Sequence, residues 1–329
     1  MSVLLKPGTV LRERYQVIAC VGQGGMGAVY RAADQRLEGR VCALKEIRYD
    51  PDLPPDALAQ AQQQFYREAS VLARLDHPNL PKVSDYFTTE GGQEYLVMDF
   101  VAGEDLRQLL EAERRAGRML DEQRVLRWAE QLCDALSYLH NQDPPILHRD
   151  IKPSNIKETP GGLVKLVDFG LVKLLATDDA RTITVLQGRG TIAYTPLEQY
   201  GGDTGHTDIR SDIYALGATL YHLLTGQPPA DARQRFLHPD SLIPPRALNP
   251  RVMPATERAI LAAIAMHPDA RPPTIEAFRQ MLHETSLSDA LTVMVSPQQD
   301  WHQALAENAG WLVAAGGLFL LALLLTILI

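Results

Sequence analysis

His148-Arg149-Asp150-Ile151-Lys152-Pro153-Ser154-Asn155, with Asp168-Phe169-Gly170 beginning eighteen residues after Asp150, is the stretch on which the reading of this chain turns. It gathers three oxygen donors and an ammonium into one short span. Asp150 carries a carboxylate able to take a proton from an attacking hydroxyl. Asn155 and Asp168 offer hard oxygens, which suit Mg²⁺ far better than zinc or copper. Lys152 can hold a phosphoryl oxygen as negative charge builds on it. Such a set suits phosphoryl transfer, where the protein mainly positions groups and neutralises charge. Asp-Phe-Gly alone is common in loops. His-Arg-Asp with Lys and Asn at these spacings, and Asp-Phe-Gly after them, is far more specific than an ordinary polar loop.

Working outward, Tyr15 to Val21 is rich in β-branched and apolar residues and reads as a strand. It runs into Gly22-Gln23-Gly24-Gly25-Met26-Gly27-Ala28-Val29. Gly-x-Gly-x-x-Gly is weak by itself and could open a dinucleotide-binding helix. Val29-Tyr30-Arg31 continues as a strand, however, which makes the turn a hairpin whose glycines let the backbone approach phosphate oxygens. Lys45, in Cys42-Ala43-Leu44-Lys45-Glu46-Ile47, is either a solvated strand lysine or a phosphate ligand. Phe65, Ala69, Leu72 and Leu75 recur at helical spacing, which places Glu68 on a helix. Asp50 to Pro55 reads as a loop. Tyr95-Leu96-Val97-Met98 reads as a strand, Leu120 to Asn141 as a long amphipathic helix, and Val164 to Val167 as a strand ending at Asp168.

From Tyr15 to about Leu282 these motifs resemble the eukaryotic-type (Hanks-type) Ser/Thr protein kinases in their bacterial form. The resemblance implies an α+β, two-lobed protein kinase fold, with a small β-rich N-lobe and a larger, mostly helical C-lobe. It implies ATP as co-substrate, with Mg²⁺ (Mn²⁺ as an alternative) on Asn155 and Asp168, and transfer of the γ-phosphoryl group to protein Ser or Thr hydroxyls. Asp150, Lys152 and Asn155 are then the catalytic residues. The ATP site comprises Val21, Gly22, Gln23, Gly24, Gly25, Met26, Gly27, Ala28, Val29, Ala43 and Lys45, with Glu68 pairing to Lys45. Glu46 competes for that lysine, but neighbouring strand residues face opposite sides. Met98 is the expected gatekeeper, the Asp99 and Val101 backbone is expected to bond adenine, and Asp105 is expected to hold the ribose, to cap the helix from Leu106, or to do both. Arg149, Thr191, Glu198, Asp212 and Arg271 take supporting roles: Asp212 bonds the catalytic-loop backbone, Glu198 pairs with Arg271, and Thr191 helps position Asp150 and Lys152. Arg149 can grip a phosphate on the activation segment, where Thr182 and Thr184 are the autophosphorylation candidates and plain loop threonines are the alternative. Autophosphorylation would bring in a second copy of the kinase domain.

The 329-residue length suits two lobes plus extras. A net charge of −8 gives no sign of a nucleic-acid partner. Cys20, Cys42 and Cys133 are widely spaced, as expected of reduced thiols, and the N-terminus lacks the long apolar stretch of a signal peptide. Gly310 to Ile329 is 20 residues without a charge. At ~1.5 Å per residue it reaches about 30 Å, a bilayer's hydrocarbon thickness, and it has no polar face to show water. The expected organisation is therefore a leader (1–14), a kinase domain (15–282; N-lobe about 15–98, hinge 99–105, C-lobe about 106–282), a juxtamembrane linker (283–309) and a transmembrane helix (310–329). The expected location is the membrane, single-pass, with the kinase domain cytoplasmic because ATP is there; the flank gives the positive-inside rule nothing to act on.

Two departures from the family pattern stand out. Pro196-Leu197-Glu198 replaces Ala-Pro-Glu at the end of the activation segment, keeping the glutamate. Lys157 takes the place of an apolar residue beneath the adenine, with its stem expected along the base and its charge in water. Two other classes compete with a protein kinase. A pseudokinase would be expected to lack one of Lys45, Asp150, Asn155 and Asp168, and a small-molecule phosphotransferase would lack Thr191, Glu198 and Arg271.

Overall fold

The computed structural model describes residues 4–24, 27–49, 52–168, 192–200 and 207–283. Gly25, Met26, Phe169, Gly170, Thr182, Thr184, Thr191 and the expected transmembrane stretch lie outside the described residues.

Six antiparallel strands form the first sheet, in the order β1-β2-β3-β4-β6-β5. They are β1 (Val10–Leu11), β2 (Tyr15–Gly24), β3 (Gly27–Asp34), β4 (Val41–Ile47), β5 (Val83–Thr88) and β6 (Glu94–Asp99). Side chains alternate across a strand, and burial follows that period. Tyr15 and Val17 are buried while Gln16 and Ile18 are exposed, and on β3 Ala28, Tyr30, Ala32 and Asp34 are buried. One face gathers a compact aromatic cluster, with the Tyr15 and Phe87 rings stacked at 5.7 Å and the Phe87 and Tyr95 rings at 5.3 Å. Helix α1 (Pro55–Leu72) buries Phe65, Ala69 and Leu72, the stripe read from its spacing.

The expected leader is corrected here. Val10 and Leu11 pair with Gln16 and Tyr15, Leu4, Leu5 and Leu11 pack on the aromatic cluster, and the Leu5 amide donates to Tyr30 Oη at 3.2 Å. The segment is part of the lobe, because its leucines cover aromatic surface that would otherwise meet water. Two apolar residues beside Lys6-Pro7-Gly8 carry no periodicity that would reveal this packing.

The remaining described residues up to His283 are mainly helical. They comprise α2 (Leu106–Arg115), α3 (Glu122–His140), α4 (Ile209–Thr225), α5 (Ala232–Leu237), α6 (Pro245–Leu248), α7 (Pro254–Ala263) and helical residues 275–283. A three-stranded sheet, β7 (Glu104–Asp105), β8 (Ile156–Glu158) and β9 (Val164–Leu166), lies among them. Helix α4 is buried from Ser211 to Tyr221, as a helix apolar nearly all round must be. Asp208 caps it at the start, accepting from the Arg210 amide, and Gly226 closes it with φ +75°. Helix α3 opens on Asp121, which accepts from the Arg124 amide, and packs Val125, Trp128, Leu132, Leu136 and Leu139 inward. Among the described residues no helix is long and apolar enough to cross a membrane.

Candidate active site

The catalytic loop is held from beneath by one buried carboxylate. Asp212 sits on the first turn of α4, fully inaccessible to water. Its Oδ2 accepts from the His148 amide at 2.8 Å and its Oδ1 from the Arg149 amide at 2.8 Å. His140, on the last turn of α3, places Nε2 3.0 Å from Oδ2. Burial pushes the Asp212 pKa up, but the His140 contact, the nearby imidazoles and the backbone donors outweigh it and hold it below the ordinary value. These bonds fix the residues just before Asp150, with Arg149 in a left-handed conformation at φ +63°. Sequence reasoning missed His140. The signal was there, since His140 continues the buried stripe of Leu132, Leu136 and Leu139, where a polar residue needs a partner.

Asp150, Lys152 and Asn155 meet directly. Lys152 Nζ donates to Asp150 Oδ2 at 2.9 Å. Asn155 Nδ2 donates to the Asp150 carbonyl and to Asp150 Oδ2, both at 2.8 Å. With the amide nitrogen committed, Asn155 Oδ1 is its remaining metal-binding atom. The Val167 amide donates to the Asn155 carbonyl at 2.8 Å, which places Asp168 beside Asn155. Asp168 follows β9 with φ +58°. One carboxylate and one amide oxygen make a sparse donor set. That fits a hard divalent ion, which is commonly held by one or two protein oxygens and completed by water and phosphate. Among the described residues no group of three or more His, Cys, Asp or Glu side chains is arranged for a metal.

The expected Lys45–Glu68 pair is not formed, and this is a correction. Lys45 Nζ donates to Asp168 Oδ1 at 3.1 Å, and this ammonium is the main reason that Asp168 lies below its ordinary pKa. Glu68 instead accepts at Oε1 from Gln64 Nε2 at 2.8 Å, while its buried Oε2 has no hydrogen-bond partner. It lines a cavity with Gln64, Arg67 and Arg149. The reason is competition. Gln64 stands one helical turn before Glu68, where i,i+4 side chains meet, and Asp168 offers Lys45 a nearer carboxylate. Glu46 is also excluded from the site. It accepts at 2.8 Å from Tyr30 Oη and at 3.1 Å from Arg48, on the opposite face of β4 from Lys45.

Burial raises Glu68 to about 7, with Gln64 and then Arg149 opposing. A carboxyl whose folded pKa exceeds its unfolded value of 4.5 favours this arrangement most at low pH. The arrangement loses that support as pH rises from 4.5 to about 7, and the loss is complete above. Expected, therefore, is a pH-dependent fluorescence or activity change with a midpoint near 7 that disappears in Glu68→Gln. An unchanged profile in that variant would show that another group titrates.

The residues expected to surround the nucleotide fall largely on β2, β3, β4 and β6. Val21, Gly22, Gln23 and Gly24 run along β2, and Gly27, Ala28 and Val29 return on β3, with Gly24 opposite Gly27. Gly27 cannot be replaced without rearrangement. Its φ is +134°, and an added Cβ would lie 1.8 Å from the Glu46 carbonyl oxygen. Ala43 pairs with Met98 across β4 and β6, and Met98 lines a small cavity with Lys45, Leu72, Leu75 and Asp168. The Asp99 amide already donates to the Lys82 carbonyl at 3.0 Å, and Val101 is buried. Asp105 caps α2, accepting from the Gln108 amide at 2.8 Å, while Gln108 Oε1 accepts from the Asp105 amide at 2.9 Å. Lys157 departs from expectation, since its ammonium is held by the Gly103 carbonyl at 2.9 Å.

Farther out, Arg271 forms a two-point pair with Glu198, Nη1–Oε1 at 2.6 Å and Nη2–Oε2 at 3.0 Å. The Arg271 side chain has no exposed surface and Glu198 very little. Its other donors reach the Ala265, Met266 and Arg210 carbonyls, and Ser211 Oγ donates to Glu198 Oε1 at 2.8 Å. Replacing Ala-Pro-Glu by Pro196-Leu197-Glu198 thus leaves this anchor in place.

A sequence-family model described as "Protein kinase domain" matches residues 15–244. The chain belongs to the protein kinase family. Among relatives, it is 38% identical over 288 residues to serine/threonine-protein kinase pkn3 of Myxococcus xanthus, covering 84% of this chain and 50% of that protein. It is 38% identical over 275 residues to the DNA damage-responsive serine/threonine-protein kinase RqkA of Deinococcus radiodurans, covering 82% of this chain and 39% of that one. The chain thus spans half or less of the length of these relatives. Among solved structures, the apo form of PpkA-294 superposes with a TM-score of 0.71 at 30% identity, covering 85% of this chain and all of the other. The kinase fold is common to both, a β-sheet lobe on a helical lobe.

Proposed function

We propose that this kinase transfers the γ-phosphoryl group of ATP, with Mg²⁺ (Mn²⁺ as a substitute), to Ser or Thr hydroxyls of proteins. The observation that carries this reading is the joining of Lys152 and Asn155 to one oxygen of Asp150, with Asp168 and its Lys45 partner alongside. Asp150 orients the hydroxyl and takes its proton. The new bond forms between that oxygen and the γ-phosphorus as the bond to the β-phosphate oxygen breaks and ADP leaves. Lys152 neutralises charge on the moving group, and Lys45 and the glycine hairpin fix the remaining phosphates. Asp168 and Asn155 Oδ1 would hold the metal, which would supply neutralisation of the phosphates. With the Asp99 amide committed to Lys82, the base is left the carbonyl side of Asp99 and the Val101 backbone. The serine/threonine relatives favour these hydroxyls over tyrosine.

Incubation of the purified chain with radiolabelled ATP and Mg²⁺ tests the reading. Label is expected on the chain itself, on Thr182 and Thr184 when mapped by mass spectrometry. Label confined to residues 283–309 would remove the activation-segment assignment, and no label on the chain or on added protein would remove the kinase reading.

The membrane reading rests on the 20 uncharged residues from Gly310 to Ile329. With Trp311 near the interface they would anchor a kinase domain facing the cytoplasm. The full chain is expected in the membrane pellet after alkaline carbonate washing, and a version ending near Thr285 in the supernatant, still active. Full-length protein in the supernatant without detergent would rule the anchor out.

A further inference from the structure

Lys157 stands on β8 between Ile156 and Glu158, and three observations bear on what its side chain does. Ile156 on β8 is fully buried, and Glu158 turns toward α3, accepting at 2.8 Å from Trp128 Nε1 and at 2.6 Å from Arg124. Side chains alternate along a strand, so Lys157 stands on the opposite face of β8 from Ile156 and Glu158. Next, Asp105 lies directly opposite Lys157 in the β7–β8 register, on the same face. The Asp105 carboxylate is engaged by the Gln108 amide, and the Lys157 ammonium passes it to reach the Gly103 carbonyl at 2.9 Å. Finally, Gly103 has φ +120°, and its Cα is packed so closely on β8 that an added Cβ would lie 2.0 Å from the Glu158 carbonyl oxygen. The end of the hinge is therefore held twice by one strand, through contact with Glu158 and through a charged hydrogen bond from Lys157.

We infer that Lys157 is a nucleotide-positioning residue. Its methylene stem forms the surface beneath the base, and its ammonium ties the hinge at Gly103, fixing the Glu104–Asp105 turn against which the sugar is expected to rest. This rests on the ATP reading of the cleft. A leucine or methionine could supply the floor, but neither could supply the tether. The lysine head is committed to the protein and not to phosphate, so its removal should weaken nucleotide binding and leave the transfer step alone.

The test uses the full chain and two variants, Lys157→Met, which keeps a stem and loses the head, and Lys157→Ala, which loses both. Binding of a fluorescent N-methylanthraniloyl ATP with Mg²⁺ is measured beside the KM for ATP and kcat. A hydrogen bond from a charged group contributes a few kcal/mol at most, and each tenfold in binding is about 1.4 kcal/mol. The expected result is about 5–20-fold weaker nucleotide binding in Lys157→Met and a larger loss in Lys157→Ala. KM should rise in parallel, with kcat within about twofold. Hydrogen exchange at the Glu104 and Asp105 amides should speed up in Lys157→Met, a change that loss of floor area alone would not produce. Parent-like binding or unchanged hinge exchange in Lys157→Met overturns the inference, as does a fall in kcat at constant KM. Because fluorescent-nucleotide binding is read without transfer, a chain that binds nucleotide but phosphorylates nothing would refute the kinase reading while still deciding this one. A parent chain that binds no nucleotide would overturn both.

Discussion

Asp150→Asn is expected to leave the fold and nucleotide binding near those of the parent and to lower phosphoryl transfer by roughly 10²–10⁴-fold, the usual contribution of a positioned general base. The geometry explains why the loss should be so selective. Asp150 Oδ2 accepts from both Lys152 and Asn155, and an asparagine carbonyl can still accept such bonds. What it cannot do is accept a proton or carry the negative charge that holds the Lys152 ammonium in place. Single-turnover phosphorylation by rapid quench, beside a nucleotide-binding titration, separates the two effects. Transfer within a few-fold of the parent would show that the base lies elsewhere.

The second large effect concerns stability. Arg271→Ala should cost about 3–5 kcal/mol, because it strands the Glu198 carboxylate in a nearly dry site while deleting bonds to three backbone carbonyls. Glu198→Ala should cost a similar amount, since it leaves a buried guanidinium. Because each single change already destroys the pair, the double variant should cost clearly less than the sum of the two. Urea unfolding of the four proteins measures this cycle. Simple additivity would mean that the two residues are energetically independent despite their 2.6 Å contact.

Legibility from sequence followed the distance over which each contact acts. The Asp150–Lys152–Asn155 cluster spans six residues, so spacing alone brings its members together. The glycine hairpin was legible for the same reason, since the apolar run after Gly27 distinguishes a returning strand from a helix. Glu198 and Arg271 lie 73 residues apart, and only resemblance to a family connected them. The partner of Glu68 was misjudged because helical periodicity places a residue on a face but does not say how far the helix stands from a neighbouring strand. Gln64 at i−4 is a local competitor visible in the sequence. For Lys157, the departure from the family pattern was legible, but the fate of its charge depended on the β7–β8 register and on Gly103 adopting a positive φ. Neither is set by residues adjacent to Lys157 in sequence.

The strand at the very start of the chain bears on how this protein can be shortened. The family resemblance begins at Tyr15, and a version trimmed to that boundary would look complete by alignment. It would nevertheless lose the main-chain partners of Tyr15 and Gln16, the Thr9 carbonyl that accepts from the Val17 amide at 2.8 Å, and the leucines sheltering Tyr30. Cutting there would leave the first residues of β2 as a bare sheet edge, a surface prone to pairing with other chains. Recombinant versions of this kinase should therefore begin at or before Leu4.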